Sequence, residues 1–254
     1  MNPIKDVTLL ITHYNRSSSL ERLLINFKDL HIEFENIVVS DDGSQPEHLD
    51  RLKELSITHN FDLVTTPKNK GLGNNINKGQ DRVKTPYTLY VQEDFIPQKL
   101  FREKFPIALN ILQTDQSYDM ARFYAYFKYP FLKKLQSGFS EMIFSPWPWY
   151  AGYRKFYFYS DHPHLRRSNF FEKFGRYAEG VAVERTEYKM MMSVIKNKGK
   201  AIFYDDFQSL FVQANSSSEP STVKRNFWRE SGNPLIGLAR HTYRFIRFNI
   251  DANL

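Results

Sequence analysis

The chain has 254 residues, 41% hydrophobic, 25% charged and 16% aromatic. That balance excludes a disordered or fibrous polypeptide and is enough for a sizeable core. Cysteine is absent, which excludes disulfides, thiolate metal sites and a cysteine nucleophile. The net charge of +7 favours anionic partners such as nucleotide phosphate or an anionic membrane surface. No nucleic-acid motif accompanies it, so nucleic acid is not an expected partner.

Val7–Thr12 (VTLLIT) reads as a buried strand. Ser18 and Glu21 have the spacing of a capping box, and Leu20, Leu23, Leu24 and Phe27 form one apolar helical face. Ile37–Val39 predicts a second strand, ended by the turn residues Asp42 and Gly43. Pro46 then opens a helix with Leu49, Leu52 and Leu55 on its buried side. Phe61–Thr65 is a third strand, Leu72, Ile76, Gly79 and Val83 mark a third helix, and Tyr87–Val91 is a fourth strand. This alternation predicts a mostly parallel sheet covered by helices, in which ligands bind beyond the carboxyl ends of the strands. Those ends are the polar stretches Thr12–Arg16, Ser40–Ser44, Thr65–Lys70 and Gln92–Asp94.

The second half is less regular. Lys99–Leu112 predicts a helix with an irregularity at Pro106, and Met120–Phe127 a strand. An aromatic tract follows, including Trp147, Trp149, Tyr150 and Tyr153, which suits either a second core or sugar stacking. Thr186 opens a helix carrying Tyr188, Met191, Met192 and Ile195, stopped by Gly199. Ala201–Tyr204 and Ser209–Val212 are short strands, and Asn215–Thr222 is a polar loop. Leu235–Ile250 is amphipathic: Ile236, Ala239, Tyr243, Ile246 and Ile250 align beside a row of Arg240, Arg244 and Arg247. That helix either packs on the domain or lies on an anionic membrane.

Five segments together resemble the inverting glycosyltransferases of family 2. They are Thr12–Arg16, Asp41-Asp42-Gly43-Ser44, Lys68–Gly73 with Asn77 and Gly79, Gln92-Glu93-Asp94, and Asp161–Glu187 with Arg167, Glu179 and Thr186. The resemblance implies a GT-A-type α/β fold. Residues 1–97 form its nucleotide-sugar-binding half, 98–234 the acceptor-binding and catalytic half, and 235–254 a terminal helix. It implies transfer of a sugar from a nucleoside diphosphate, UDP by analogy, to a hydroxyl of a glycan or lipid-linked acceptor in polysaccharide or glycolipid assembly.

The implied site follows residue by residue. Thr12, Tyr14, Arg16, Asp41, Asp42 and Lys70 are the expected nucleotide contacts, and Arg167 faces the diphosphate or an anionic acceptor. Asp94, with Glu93, is expected to hold Mg²⁺ or Mn²⁺, a hard cation that neutralises the departing diphosphate. Glu187, with Glu179 second, is the expected general base. Three positions depart from the family pattern: Gln92 stands for its first Asp, Tyr188 for the Asp of its catalytic pair, and Gln213 for a His found in many relatives.

Met1–Lys5 carries no apolar signal core, and no apolar run reaches the ~18 residues of a membrane span. The expected location is cytoplasmic, with peripheral contact at the inner face of the plasma membrane if the terminal helix lies on lipid. Two other classes stay open. A nucleotidyltransferase would carry a glycine-rich loop after the first strand, where Thr12–Arg16 has no glycine. A degenerate relative binding nucleotide or glycan would account for Gln92 and Gln213.

Overall fold

The computed structural model describes residues 3–147, 152–214, 219 and 233–253. The first half alternates β1 (Ile4–His13), α1 (Ser17–Asp29), β2 (Phe34–Asp41), α2 (Pro46–His59), β3 (Asp62–Val64), α3 (Leu72–Gln80) and β4 (Tyr87–Gln92). β5 (Phe95–Pro97), α4 (Lys99–Thr114), β6 (Met120–Arg122), β7 (Leu132–Lys134) and β8 (Phe139–Met142) follow. A 3₁₀ turn (Gly152–Phe156) leads to β9 (His164–Arg167), α5 (Phe170–Phe174), α6 (Val183–Lys196), β10 (Ala201–Tyr204), β11 (Phe211–Gln213) and a long final helix, α7 (Pro234–Asn253).

One nine-stranded sheet, in the order β3-β2-β1-β4-β9-β6-β10-β8-β7, runs through both halves of the chain. β3, β2, β1 and β4 pair in parallel, as do β6 and β10, whereas β9 and β8 run against their neighbours. The sheet is thus mostly parallel in strand direction, and helices cover both faces. The period-2 alternation of β1 feeds two cores. Val7, Leu9 and Ile11 pack with the apolar faces of α1, α2 and α4, while Leu10 packs with Ile76 of α3 and Met190–Met192 of α6.

The predicted first-half elements appear within a few residues of their expected bounds, and Pro46 sits in the first turn of α2. Several local expectations are corrected. The Ser18–Glu21 box does not cap α1. Its first-turn amides, Ser18 N–H and Ser19 N–H, donate instead to the carboxylate of Glu219 at 3.0 and 2.9 Å. α6 begins at Val183 rather than Thr186, so Glu187 lies in its second turn. β6 stops at Arg122, because the chain there leaves the sheet into the aromatic tract. β9 was not anticipated: its four residues fill the gap between β4 and β6, where an antiparallel pairing closes the sheet.

α7 packs on the domain, but not through the row that its pattern singled out. Phe248 is buried against Phe156, Tyr157 and Tyr188, and His241 meets the ring of Tyr153 edge-on. Tyr243, Ile246 and Ile250 remain exposed, with Leu238. No helix among the described residues is long and apolar enough to cross a membrane. The expected contacts of Trp149 and Tyr150 and the loop Asn215–Thr222 lie outside the described residues, apart from Glu219.

Candidate active site

Because β1, β2, β4 and β6 point the same way, their carboxyl ends share one edge of the sheet. At the end of β1, His13 Nε2 accepts the amide N–H of Arg16 at 3.1 Å, so Nδ1 carries the proton and donates to Asp41 Oδ1 at 2.8 Å. Burial holds the His13 pKa down despite that carboxylate. Asp41 also accepts the amides of Gly43 and Ser44 and the Ser44 hydroxyl, and these bonds outweigh its burial and keep its pKa low.

Asp41 is 0% exposed. It builds the turn, with both carboxylate oxygens engaged by the chain. Asp42 is likewise engaged. Its two oxygens accept Lys70 N–H and Gly71 N–H at 2.8 Å each, at the opening of α3, and burial raises its pKa. A side chain of the protein thus supplies the negative charge at this helix start. Gly43 allows the close approach. Its φ is +70°, and a Cβ there would stand 2.5 Å from the Lys68 carbonyl carbon.

Thr12 shares a hydrogen bond with the Tyr90 hydroxyl at 3.0 Å and is buried, whereas Tyr14 is half-buried and Lys70 exposed at the rim. Lys78 was missed by sequence reasoning. Its ammonium reaches under the turn to Asp41 O and Asn75 Oδ1, both at 2.6 Å, and burial brings its pKa down to about 8. The only sequence signal is its i+3 spacing from Asn75.

Arg16 crosses to the end of β4, where its guanidinium lies 3.3 Å from Asp94 and 3.7 Å from Glu93 and donates to Glu219 O at 3.1 Å. Burial, reinforced by the Asp94 charge and opposed by Arg16, pushes the Glu93 pKa up to about 8. Asp94 Oδ2 accepts Gln213 Nε2 at 2.9 Å, while its buried Oδ1 has no hydrogen-bond partner among the described residues. An orphaned carboxylate oxygen beside a second carboxyl, destabilised as an anion by burial and by the Asp94 charge, fits a divalent cation, whose binding would displace any proton there. The cation must draw further ligands from a bound diphosphate, since no group of three or more acidic or histidine ligands occurs among the described residues.

Gln213 continues the chain of contacts by accepting the Tyr126 hydroxyl at 3.0 Å. Tyr126 lines a cavity of about 250 Å³ whose wall also includes Arg122, Tyr153, Tyr157 and Glu187. The carboxyl of Glu187 lies against that of Asp161, where the two can hydrogen-bond when either holds a proton. Burial, then the Asp161 charge, raises the Glu187 pKa well above its usual range. Burial also raises that of Asp161, against the bond from Glu187.

Arg122 moderates this charge. It is held by Tyr157 O at 2.6 Å and Ser160 Oγ at 2.5 Å, and burial lowers its pKa to about 10. Asp161 and Arg122 carry no local motif that marks them as a pair. Folding brings them near enough to influence each other because β6 and the approach to β9 are neighbours in the sheet.

Two expected residues do not join this cluster. Glu179 is exposed and accepts Asn77 Nδ2 at 2.7 Å and Asn74 Nδ2 at 2.8 Å, which lowers its pKa and makes it a poor proton acceptor. It clamps the loop before α6 to α3. Arg167 pairs in register with Tyr87, at the amino end of β4, and so lies at the opposite edge of the sheet. Its guanidinium donates to Tyr118 O at 2.9 Å and Leu112 O at 2.5 Å, and it does not face the site. The antiparallel direction of β9 is the reason.

The architecture is that of the GT-A glycosyltransferases. S. aureus TarS, in complex with UDP-GlcNAc, aligns with 95% of this chain and 73% of its own length at a TM-score of 0.62 and 15% identity. The mannosyltransferase PcManGT of Pyrobaculum calidifontis, with GDP-Man and Mn²⁺, aligns with 96% of this chain and 64% of its own at 0.59 and 14% identity. The likeness extends to sequence. The description “Glycosyl transferase family 2” matches residues 8–175, and the chain belongs to that family. Poly-beta-1,6-N-acetyl-D-glucosamine synthase of Staphylococcus aureus is 25% identical over 96 residues, which are 38% of this chain and 23% of that protein. The chain thus matches under a quarter of the length of that curated relative.

Proposed function

We propose that the protein transfers a sugar from a nucleoside diphosphate, UDP in the first instance, to an acceptor hydroxyl with inversion, in polysaccharide or glycolipid assembly. The observation that carries the reading is the continuous path Arg16–Asp94–Gln213–Tyr126, which links the acidic end of β4 to the cavity holding Glu187. A diphosphate at one end and an acceptor at the other would stand side by side. The family membership and the UDP-sugar complex of TarS support the class of donor.

In this reading residues 1–97 form the nucleotide half and residues 98–234 the acceptor half. Tyr14, Arg16 and Lys70 meet the nucleotide, over a floor that Thr12, Asp41 and Asp42 keep in shape. Asp94 Oδ1 and Glu93 hold Mg²⁺ or Mn²⁺, an ion present in the PcManGT complex. Bound there, the cation would neutralise charge on the diphosphate. Arg16 contributes fixed positive charge at the same place.

Glu187 receives the proton of the acceptor hydroxyl, and burial, then the charge of its Asp161 partner, keeps the carboxyl basic by shifting its pKa upward. Inversion needs no covalent intermediate, so one base and one charge-stabilised leaving group suffice.

The exposed stripe Leu238, Tyr243, Ile246 and Ile250 adjoins a basic groove of Arg185, Lys189, Lys196 and Arg247. Apolar and cationic surfaces so combined suit peripheral contact with an anionic bilayer on the cytoplasmic side. Sedimentation with anionic and neutral vesicles tests this, and failure to bind either rejects it.

Calorimetry of the full chain with UDP, with and without Mn²⁺, followed by hydrolysis assays over a panel of nucleotide sugars, tests the main reading. No nucleotide binding would overturn it. Binding with no hydrolysis or transfer across the panel would favour a binding-only relative.

A further inference from the structure

The cavity beside Glu187 is completed by α7, which lies outside the residues matched by the family. Its contribution is Arg244. We propose that Arg244 is a specificity-determining residue that selects an acceptor sugar bearing an anionic group, a carboxylate or a phosphate. The inference rests on the transferase reading for the word acceptor, but its binding chemistry stands on the cavity alone.

Shape comes first. A volume of about 250 Å³ falls below the ~300–1,000 Å³ of drug-sized pockets and suits a single sugar unit. Tyr126, Tyr153 and Tyr157 line it, and such rings pack against the apolar faces of sugars.

Charge comes second. The Arg122 guanidinium spends its donors on Tyr157 O and Ser160 Oγ. Arg247, one turn along α7, is engaged by the Tyr243 hydroxyl at 3.0 Å and by Asp251 at 3.5 Å. Arg244 has no hydrogen bond or carboxylate among the described residues. Its guanidinium rests 5.6 Å from the centre of the Tyr153 ring and is half-buried. A planar fork of donors at a cavity wall, unpaired among the described residues, matches a carboxylate or phosphate in two-point contact.

The charge balance within the cavity agrees. Burial takes His162 down to about 3, so it is neutral. The cavity is lined by two guanidiniums, Arg122 and Arg244, against one carboxyl, Glu187, whose pKa burial raises, and it is left electropositive.

The placement of Arg244 is also rigid. Phe248 anchors the same helix in the core, and the Tyr188 hydroxyl donates to Asp251 on the following turn.

The test uses the full chain without donor, and measures by ligand-observed NMR the affinities of methyl β-D-glucuronide, glucose 6-phosphate and methyl β-D-glucoside. Both charged sugars should bind about fivefold or more tightly than the neutral one, in the range of a partly solvated ion pair. Whichever of the two binds more tightly identifies the source of the anion. Arg244→Gln should abolish the preference and Arg244→Lys should keep part of it, with melting temperatures confirming that both fold.

Equal affinity for charged and neutral sugars in the wild type overturns the proposal. So does a preference that survives Arg244→Gln. UDP calorimetry on the same samples keeps the two readings apart. A wild type that shows no anion preference while UDP binding is intact refutes only this inference, whereas absence of UDP binding refutes the transferase reading.

Discussion

The same substitution, Gly→Ala, should have opposite effects in two helices of this protein. At Gly73, in the first turn of α3, a Cβ would stand 2.2 Å from the Ala178 carbonyl oxygen and 2.9 Å from its carbon. Relief needs about 1 Å of movement, in a segment that cannot easily yield. The Ala178 oxygen already accepts the Thr186 hydroxyl at 2.9 Å, and Tyr177 exchanges two 3.0 Å bonds with the Asn77 amide. Overpacking of this kind costs about 1–3 kcal/mol, and each strained hydrogen bond about 1 kcal/mol more. The helix-propensity gain of Ala over Gly, about 1 kcal/mol, offsets part of this.

The net loss should be about 2–3 kcal/mol, or roughly 5–10 °C in melting temperature for a chain of this size. At Gly237, in α7, nothing lies within 4 Å of the added carbon, so the propensity gain of roughly 0.5–1 kcal/mol should appear as stabilisation. Urea unfolding of both variants, with midpoints and slopes compared, checks this. A Gly73→Ala variant within about 0.5 kcal/mol of wild type would show that α3 does not rest on the 177–179 segment, and the clamp of the loop before α6 onto α3 would fall with it.

Glu187→Gln should lower turnover by about 10²–10⁴-fold, the usual worth of a positioned base, with UDP affinity unchanged by calorimetry. Residual activity within tenfold would refute the assignment. Since burial and then the Asp161 charge raise the Glu187 pKa and the base form is the deprotonated one, wild-type kcat should go on rising with pH well above the usual carboxylate range; a flat profile there would count against it. Asp94→Asn should abolish the gain in UDP affinity that Mn²⁺ confers on the wild type. That gain is expected to be about tenfold, or 1.4 kcal/mol, and an equal gain in the variant would remove Asp94 from the cation site.

Glu219→Gln should cost about 0.5–2 kcal/mol at pH 7 through the loss of the α1 cap. Burial alone would raise the Glu219 pKa, but the Ser18 and Ser19 bonds hold it below its usual 4.5. Its stabilisation is therefore present above that value and lost as pH falls through the lower folded pKa. The two proteins should converge in denaturation midpoint at acid pH, and a gap that persists there would refute the cap.

The alternation of apolar runs, turn residues and helical faces up to Gln92 was enough to predict the parallel sheet. The side-chain period of strands and helices is local, and tertiary contacts only moved the bounds by a few residues. The edge at which ligands gather followed from strand direction, and so did the nearness of Arg16, Glu93 and Asp94. The chemical state of those residues did not. Asp41 reads as a binding carboxylate in its motif, yet four donors engage it: the Gly43 and Ser44 groups lie only two and three residues on, but His13 reaches it only after β1 and β2 pair.

The direction of β9 is another tertiary outcome. It carried Arg167 to the far edge of the sheet while setting Arg122 and Ser160 beside each other and bringing Asp161 against Glu187. Likewise, the spacing of α7 showed an amphipathic helix but misjudged which side would be covered. Phe248 won the core because the aromatic residues opposite it, Phe156, Tyr157 and Tyr188, come from segments about 60 to 90 positions earlier in the chain. Periodicity is written within a few turns of chain. The partner that gives each face or carboxylate its role is supplied by residues that only folding brings near.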